Sequence, residues 1–332
     1  PEPEMYPAKR VTVKAENGTI ACDFPAQPAG RDKALRFYVN GEHQAELAFT
    51  DVCFGDIWLA CGQSNMEYFL RYDAHFNDIK KEEFNPDIHM YNVPRIAFEG
   101  QEKTKDLSDS GHWFLQGDAA WGSFSAPGYC FARKIQEQYR IPVGVIGCNW
   151  GGTPACAWVA PEYLQAPLDV YLEEYRKEVE AWDPEKLKEA SLVANAYENT
   201  YQHEIEWRSV MYGLTWEEQE RWMQEHAGAP ELPMGPWHHY RPCGLYETMI
   251  RTIAPFSVKG VLWYQGESDA DHASLYGDMM KALIKCFRDP WQDPKLPFLY
   301  VQLAPFARWL ETTTRRCVSS RMPPATRFPG RT

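Results

Sequence analysis

Residues 56–67 read Asp-Ile-Trp-Leu-Ala-Cys-Gly-Gln-Ser-Asn-Met-Glu. The apolar run Ile57 to Ala60 suits a buried strand, Gly62 stops it, and the pattern beyond Asn65 is compatible with a helix. Ser64 therefore falls on a tight strand-to-helix turn. Such a turn lifts a hydroxyl out of a packed sheet and aims the first free N–H groups of a helix at it. Those donors, with the positive end of the helix dipole, would stabilise an oxyanion. For a Gly-x-Ser tripeptide alone, a Ser that merely caps a helix is the competing reading.

Two later stretches tip the balance. Residues 143–153 read Val-Gly-Val-Ile-Gly-Cys-Asn-Trp-Gly-Gly-Thr, an apolar strand running into a glycine pair. Residues 260–269 read Gly-Val-Leu-Trp-Tyr-Gln-Gly-Glu-Ser-Asp, an apolar strand ending in Gln, Gly and Glu. Sites of open α/β sheets form at such strand ends. Three of them, in this order, resemble the sialate O-acetylesterase and carbohydrate-esterase branch of the SGNH (GDSL-type) hydrolases. The matching words are Gly-Gln-Ser-Asn-Met at 62–66, Trp-Gly-Gly-Thr at 150–153 and Trp-Tyr-Gln-Gly-Glu-Ser at 263–268. Weaker echoes are Phe-Ser-Ala-Pro-Gly-Tyr at 124–129 and Leu-Tyr-Glu-Thr-Met-Ile at 245–250. The resemblance implies an α/β, flavodoxin-like three-layer fold: a parallel sheet with helices on both faces, preceded by part of a small β-domain.

The 332 residues carry 44% hydrophobic and 24% charged side chains, ordinary for a globular protein, and could form one or two domains. A net charge of −12 argues against nucleic acid and anionic membrane as partners, since both need basic patches. No stretch reaches transmembrane length, and no signal-peptide h-region is present near Pro1. Thirteen Trp residues lean slightly toward a carbohydrate ligand. The nine cysteines are scattered, several in apolar runs, with no Cys-x-x-Cys pair and no cluster of zinc spacing. Mostly reduced, buried thiols favour a cytoplasmic location; a chain that starts without Met leaves a secreted or periplasmic one open.

Along the chain, a β-rich module is expected over 1–50, with β segments at 10–14, 19–23, 35–39 and 46–52. Asn17-Gly18 and Asn40-Gly41 would turn it. An esterase domain is expected over 51–311, with strands near 57–60, 88–93, 143–148, 259–264 and 298–303 and helices near 128–139 and 274–288. Residues 161–240 read as a helical insertion, with helices near 168–192, 196–212 and 216–226 and the pair His238-His239 on its exit loop. Residues 312–332 hold five Arg and no acid in a chain with 46 acids. They read as an aberrant or disordered tail, and the domain as C-terminally incomplete.

Ester hydrolysis by serine needs a hydroxyl, a base, a group to orient the base and donors for the oxyanion. Ser64 supplies the hydroxyl and a first N–H donor. The resemblance assigns a second donor to Gly151 or Gly152 and a third to the Gln265 amide. It also gives Glu267 a catalytic role, and Gln63, Asn65 and Trp158 are expected to line the substrate cleft. The family's His lies near the end of the domain in an Asp-x-x-His word, yet no His follows Phe298. An Asp-x-x-His word does occur at Asp269–His272, directly after the third motif, and it could substitute if one helical turn aligned the pair. The chemistry calls for no cofactor and no metal. The expected partner is an O-acetylated carbohydrate, most plausibly a sialic acid. An acetylated xylan, or a sugar held by a pseudoenzyme lacking its base, are the alternatives.

Overall fold

The computed structural model describes residues 9–20, 22–198 and 232–303, together with 215, 217, 218 and 221. The chain divides into two units, residues 1–56 and 57–332. In the first, β1 (Gly30–Val39) pairs antiparallel with β2 (Glu42–Phe54). Their turn is Asn40-Gly41, both at positive φ, as a tight hairpin requires. Asn17-Gly18 turns in the same way, but the segments beside it form only a bridge between Glu16 and Thr19. Among the described residues, the segments expected as strands at 10–14 and 19–23 form no strand.

The second unit holds a six-stranded sheet in the order β5-β4-β6-β3-β7-β8. Its strands are β3 (Asp56–Gly62), β4 (Ile88–Asn92), β5 (Trp113–Phe114), β6 (Val143–Asn149), β7 (Gly260–Tyr264) and β8 (Phe298–Tyr300). The β3–β7, β7–β8 and β4–β6 pairs are parallel; β5 is an antiparallel edge, so the sheet is mixed. The parallel strands lie 2-3-1-4-5 by chain order, a variation on the flavodoxin-like 2-1-3-4-5. The chain leaves β3 for strands on one side and returns to strands on the other. Such a switch point opens a crevice at the carboxyl ends of the strands.

Alternation along the strands explains the two covering layers. Leu59, Cys61, Val261 and Trp263 pack into one core, Trp58, Ala60 and Leu262 into the other. Both faces are buried, which is why these strands read as unbroken apolar runs. The first core is closed by a helix at Tyr276–Arg288, which buries Tyr276, Met279, Met280, Leu283 and Phe287 at helical spacing. The second is closed by a helix at Ala126–Tyr139, capped by Ser125, whose Oγ accepts the Gly128 N–H at 3.1 Å.

The expected helix over 168–192 is two helices, Val170–Glu180 and Pro184–Glu198. Pro184 cannot extend the first and suits the start of the second, where Asp183 Oδ1 accepts the Lys186 N–H at 3.1 Å. The helices expected at 196–212 and 216–226 lie largely, and the tail at 312–332 wholly, outside the described residues. Among the described residues no helix is long and apolar enough to cross a membrane.

Candidate active site

The site is built from three loops at the carboxyl ends of β3, β6 and β7. Register brings two of them together: Gly62 pairs with Tyr264, and the Trp150 N–H donates to the Gly62 carbonyl at 3.1 Å. At Gly62, φ is +141°, and a Cβ would lie 2.1 Å from the Tyr264 carbonyl oxygen. Only glycine lets the chain turn there.

After that turn comes a single helical turn, Ser64–Glu67. Ser64 is half-buried, and among the described residues no hydrogen bond takes up its N–H or its hydroxyl. One turn carries little macrodipole, so the local N–H, rather than the expected helix dipole, is what Ser64 offers an oxyanion.

The glycine pair lies directly against this turn. A Cβ on Gly151 would be 3.7 Å from Ser64 Cβ. The Gly151 N–H, however, donates to the Glu67 carboxylate, whose other oxygen pairs with Arg95. Gly151 is thus not free to hold an oxyanion. Gly152 differs: among the described residues its N–H has no partner. Its φ is +75°, and a Cβ would collide with the Tyr240 hydroxyl at 1.9 Å. The Ser268 hydroxyl donates to the Gly152 carbonyl at 2.8 Å, pinning the loop from the β7 side.

Gln265 is not an oxyanion donor either. Its Nε2 donates to the Thr153 carbonyl at 3.1 Å and to Asp269 Oδ2 at 2.5 Å, and its Oε1 accepts from the Tyr276 hydroxyl at 2.9 Å. A fully buried amide with both protons committed has none to lend. Gln63, expected in the cleft, is also buried; its Oε1 accepts the N–H of Gly266 at 3.1 Å and of Ser268 at 3.3 Å. Trp158 is core, not cleft: it is fully buried, edge-on to Trp263, and its indole N–H donates to Thr153 Oγ1 at 3.0 Å.

Asn65 does reach the site. Its Nδ2 donates to Glu267 Oε1 at 2.5 Å. Glu267 is buried, and its Oε2 has no partner among the described residues. Burial raises its carboxyl above the ordinary range, opposed by its own backbone N–H and by Asn65.

Asp269 and His272 do not form a dyad. Asp269 Oδ2 accepts from the Ala155 N–H at 2.9 Å and from Gln265, while Oδ1 accepts from the Tyr171 hydroxyl at 3.3 Å. His272 pairs instead with Glu174 at 3.1 Å and lies against the Tyr171 ring, 4.5 Å between centroids. The helical segment kinks at Asp269 (φ −104°, ψ 15°), so three-residue spacing does not bring the two side chains together. Tyr171 touches both instead. The other histidines near the site are His238 and His239. His239 stacks on Trp150 at 4.7 Å and 10°, beside the glycine pair. Burial pushes His238 down to about 4, and burial, then His238 and Lys105, push His239 down as well.

Glu67, Arg95, Tyr240 and Ser268 are contributors that sequence reasoning missed. Glu67 had a signal, an acid three residues after Ser64 in a first helical turn. Arg95 and Tyr240 sit on loops with no pattern. Arg95, Lys105, Asn149 and Asp109 also line a small polar cleft beside the site. Among the described residues no group of His, Cys, Asp or Glu could hold a metal.

Comparison with known proteins agrees with these motifs. A family model described as "Carbohydrate esterase, sialic acid-specific acetylesterase" matches residues 222–326. Sialate O-acetylesterase of Mus musculus is 27% identical over 320 residues, 90% of this chain and 52% of that protein. The chain is similar to the sialate O-acetylesterases. The Homo sapiens sialate O-acetylesterase is 24% identical over 318 residues, 89% of this chain and 49% of that protein. The crystal structure of a carbohydrate acetylesterase from Xanthomonas citri superposes with a TM-score of 0.55 at 26% identity, covering 84% of this chain and 48% of that one. This chain therefore spans about half the length of the sialate O-acetylesterases it matches.

Proposed function

We propose that this chain is a carbohydrate O-acetylesterase that releases acetate from an O-acetylated sugar, a sialic acid first among them, through an acetyl-Ser64 intermediate. The observation that carries the reading is that, among the described residues, the Ser64 hydroxyl and N–H and the neighbouring Gly152 N–H have no hydrogen-bond partner. Ser64 Oγ attacks the acetyl carbonyl, and the oxyanion is held by the N–H groups of Ser64 and Gly152. The serine proton passes to Glu267, whose raised carboxyl and Oε2, buried and without a partner among the described residues, suit proton transfer. That proton then goes to the departing sugar oxygen. Water, activated by the same carboxylate, cleaves the acetyl-serine. Asn149 and Arg95, which line the small polar cleft beside Ser64, are placed to meet hydroxyls of the sugar at its mouth. Eight free thiols among the described cysteines support a reducing, cytoplasmic location.

No imidazole is hydrogen-bonded to Ser64 among the described residues, so turnover should be slow. Loss of a triad member typically removes about 10⁴–10⁶ in rate, leaving roughly 10³–10⁴ over water. Turnover of a chromogenic acetate, of an O-acetylated sialic acid and of acetylated xylan by the parent chain and by Ser64→Ala tests the reading. Sugar binding with no acetate release would favour the pseudoenzyme, and preference for xylan the second substrate class.

A further inference from the structure

The peptide between Gly151 and Gly152 carries an N–H that has no partner among the described residues, and a glycine pair does not hold one conformation by itself. Three contacts fix it. Tyr240 covers the Cα of Gly152, Ser268 holds its carbonyl, and the Glu67 carboxylate holds the N–H of Gly151. The third is unusual because it comes from the nucleophile's own turn, three residues after Ser64. Glu67 has no exposed side-chain surface, and Arg95 neutralises it. A buried carboxylate is costly unless paired and bonded, and a charge-assisted bond to a backbone N–H is about twice as strong as a neutral one.

We propose that Glu67 is a positioning residue for the oxyanion site: by holding Gly151 through the backbone it aims the Gly152 N–H at the acyl oxygen. The role rests on the serine-esterase reading above. Glu67 couples the two donors, because the turn that places the Ser64 N–H also places the loop that bears the Gly152 N–H. It also occupies the Gly151 N–H, so that donor is not offered to the substrate carbonyl. The expected signature is a loss in kcat with little change in KM, since the contact matters where the oxyanion forms.

The test uses the full chain with Glu67→Asp, Glu67→Gln and Ser64→Ala. Asp keeps the charge for Arg95 but is one methylene too short for Gly151; Gln keeps an acceptor for Gly151 without the charge. Two readouts are taken: kcat and KM on a chromogenic acetate, and affinity for phenylboronic acid, which adds to the serine oxygen as a tetrahedral anion. Glu67→Asp should lose roughly 10–100-fold in kcat and a similar factor in boronate affinity, with KM within about 3-fold, because a misplacement near 1 Å can cost about 10². Glu67→Gln should recover most of both. Parental kcat and boronate affinity in Glu67→Asp, while Ser64→Ala loses both, would overturn the role and leave the esterase reading standing. If Ser64→Ala also keeps both, the esterase reading falls and takes the role with it.

Discussion

Asn65 Nδ2 meets Glu267 Oε1 at 2.5 Å, joining the residue beside Ser64 to a carboxylate 202 positions later. The contact brings the ends of β3 and β7 together, and the other oxygen of Glu267 is buried with no partner among the described residues. It also holds a carboxylate where burial opposes its charge.

That opposition gives a pH dependence with a definite sign. Burial raises Glu267, and likewise Asp269, so the native chain keeps these protons at pH values where the unfolded chain has released them. Stability is then full below the ordinary carboxylate range and declines as pH rises toward the raised values. Glu267→Gln should flatten the decline and raise stability near neutral pH, because it removes the buried charge that opposes folding there. It should also abolish the residual esterase rate. Thermal denaturation across the acid range, with rates at neutral pH, checks both; lower stability of the variant near pH 7 would contradict the burial argument.

Gly152→Ala should destabilise the chain by about 1–3 kcal/mol, through left-handed backbone strain and the collision with Tyr240. Adding Tyr240→Ala should remove the collision and leave only the backbone part, about 1–2 kcal/mol. Denaturant melts of the single and double variants measure this. A double variant no better than Gly152→Ala alone would show that Tyr240 does not crowd that position.

His272→Ala should change acetate turnover by less than about twofold, because His272 is paired with Glu174 and turned away from Asp269. Initial rates on a chromogenic acetate decide it. A loss of several orders of magnitude would restore Asp269–His272 as the base and its orienting group.

Trp158→Ala should cost about 3–5 kcal/mol, the usual range for deleting a buried indole. The milder Trp158→Phe should leave KM for an acetylated sugar unchanged while lowering the melting temperature. A raised KM with unchanged stability would place Trp158 in the cleft after all.

The sheet could be read from the sequence because strands covered on both faces spell continuous apolar runs. β3, β4, β6, β7 and β8 fall where Ile57–Ala60 and its counterparts predict. The two-residue β5 carries no such run and was missed. Asn40-Gly41 announced its hairpin through chemistry that only a few residue types tolerate. Site residues were harder. Ser64 and the glycine pair follow from strand ends, but which N–H stays free depends on Glu67, and that is a matter of rotamers. Gln265, Gln63 and Trp158 look like site residues in the sequence because they lie in the motif words or close beside them. Their side chains turn inward to join the loops, and a linear pattern records adjacency without direction. Asp269–His272 failed for a related reason: spacing predicts a shared face only while the helix stays regular.

The bond from Gln265 to the Thr153 carbonyl closes a loop of 112 residues. Everything between those two positions hangs from a clasp that is already shut beneath the site. Closing such a loop costs entropy that grows only logarithmically with its length, about 0.6 kcal/mol per doubling. The intervening chain could therefore be lengthened, shortened or exchanged for another at small thermodynamic expense. If the proposed esterase reading holds, the chain between the clasped positions is the natural place to exchange sequence without disturbing the strand ends that the clasp joins.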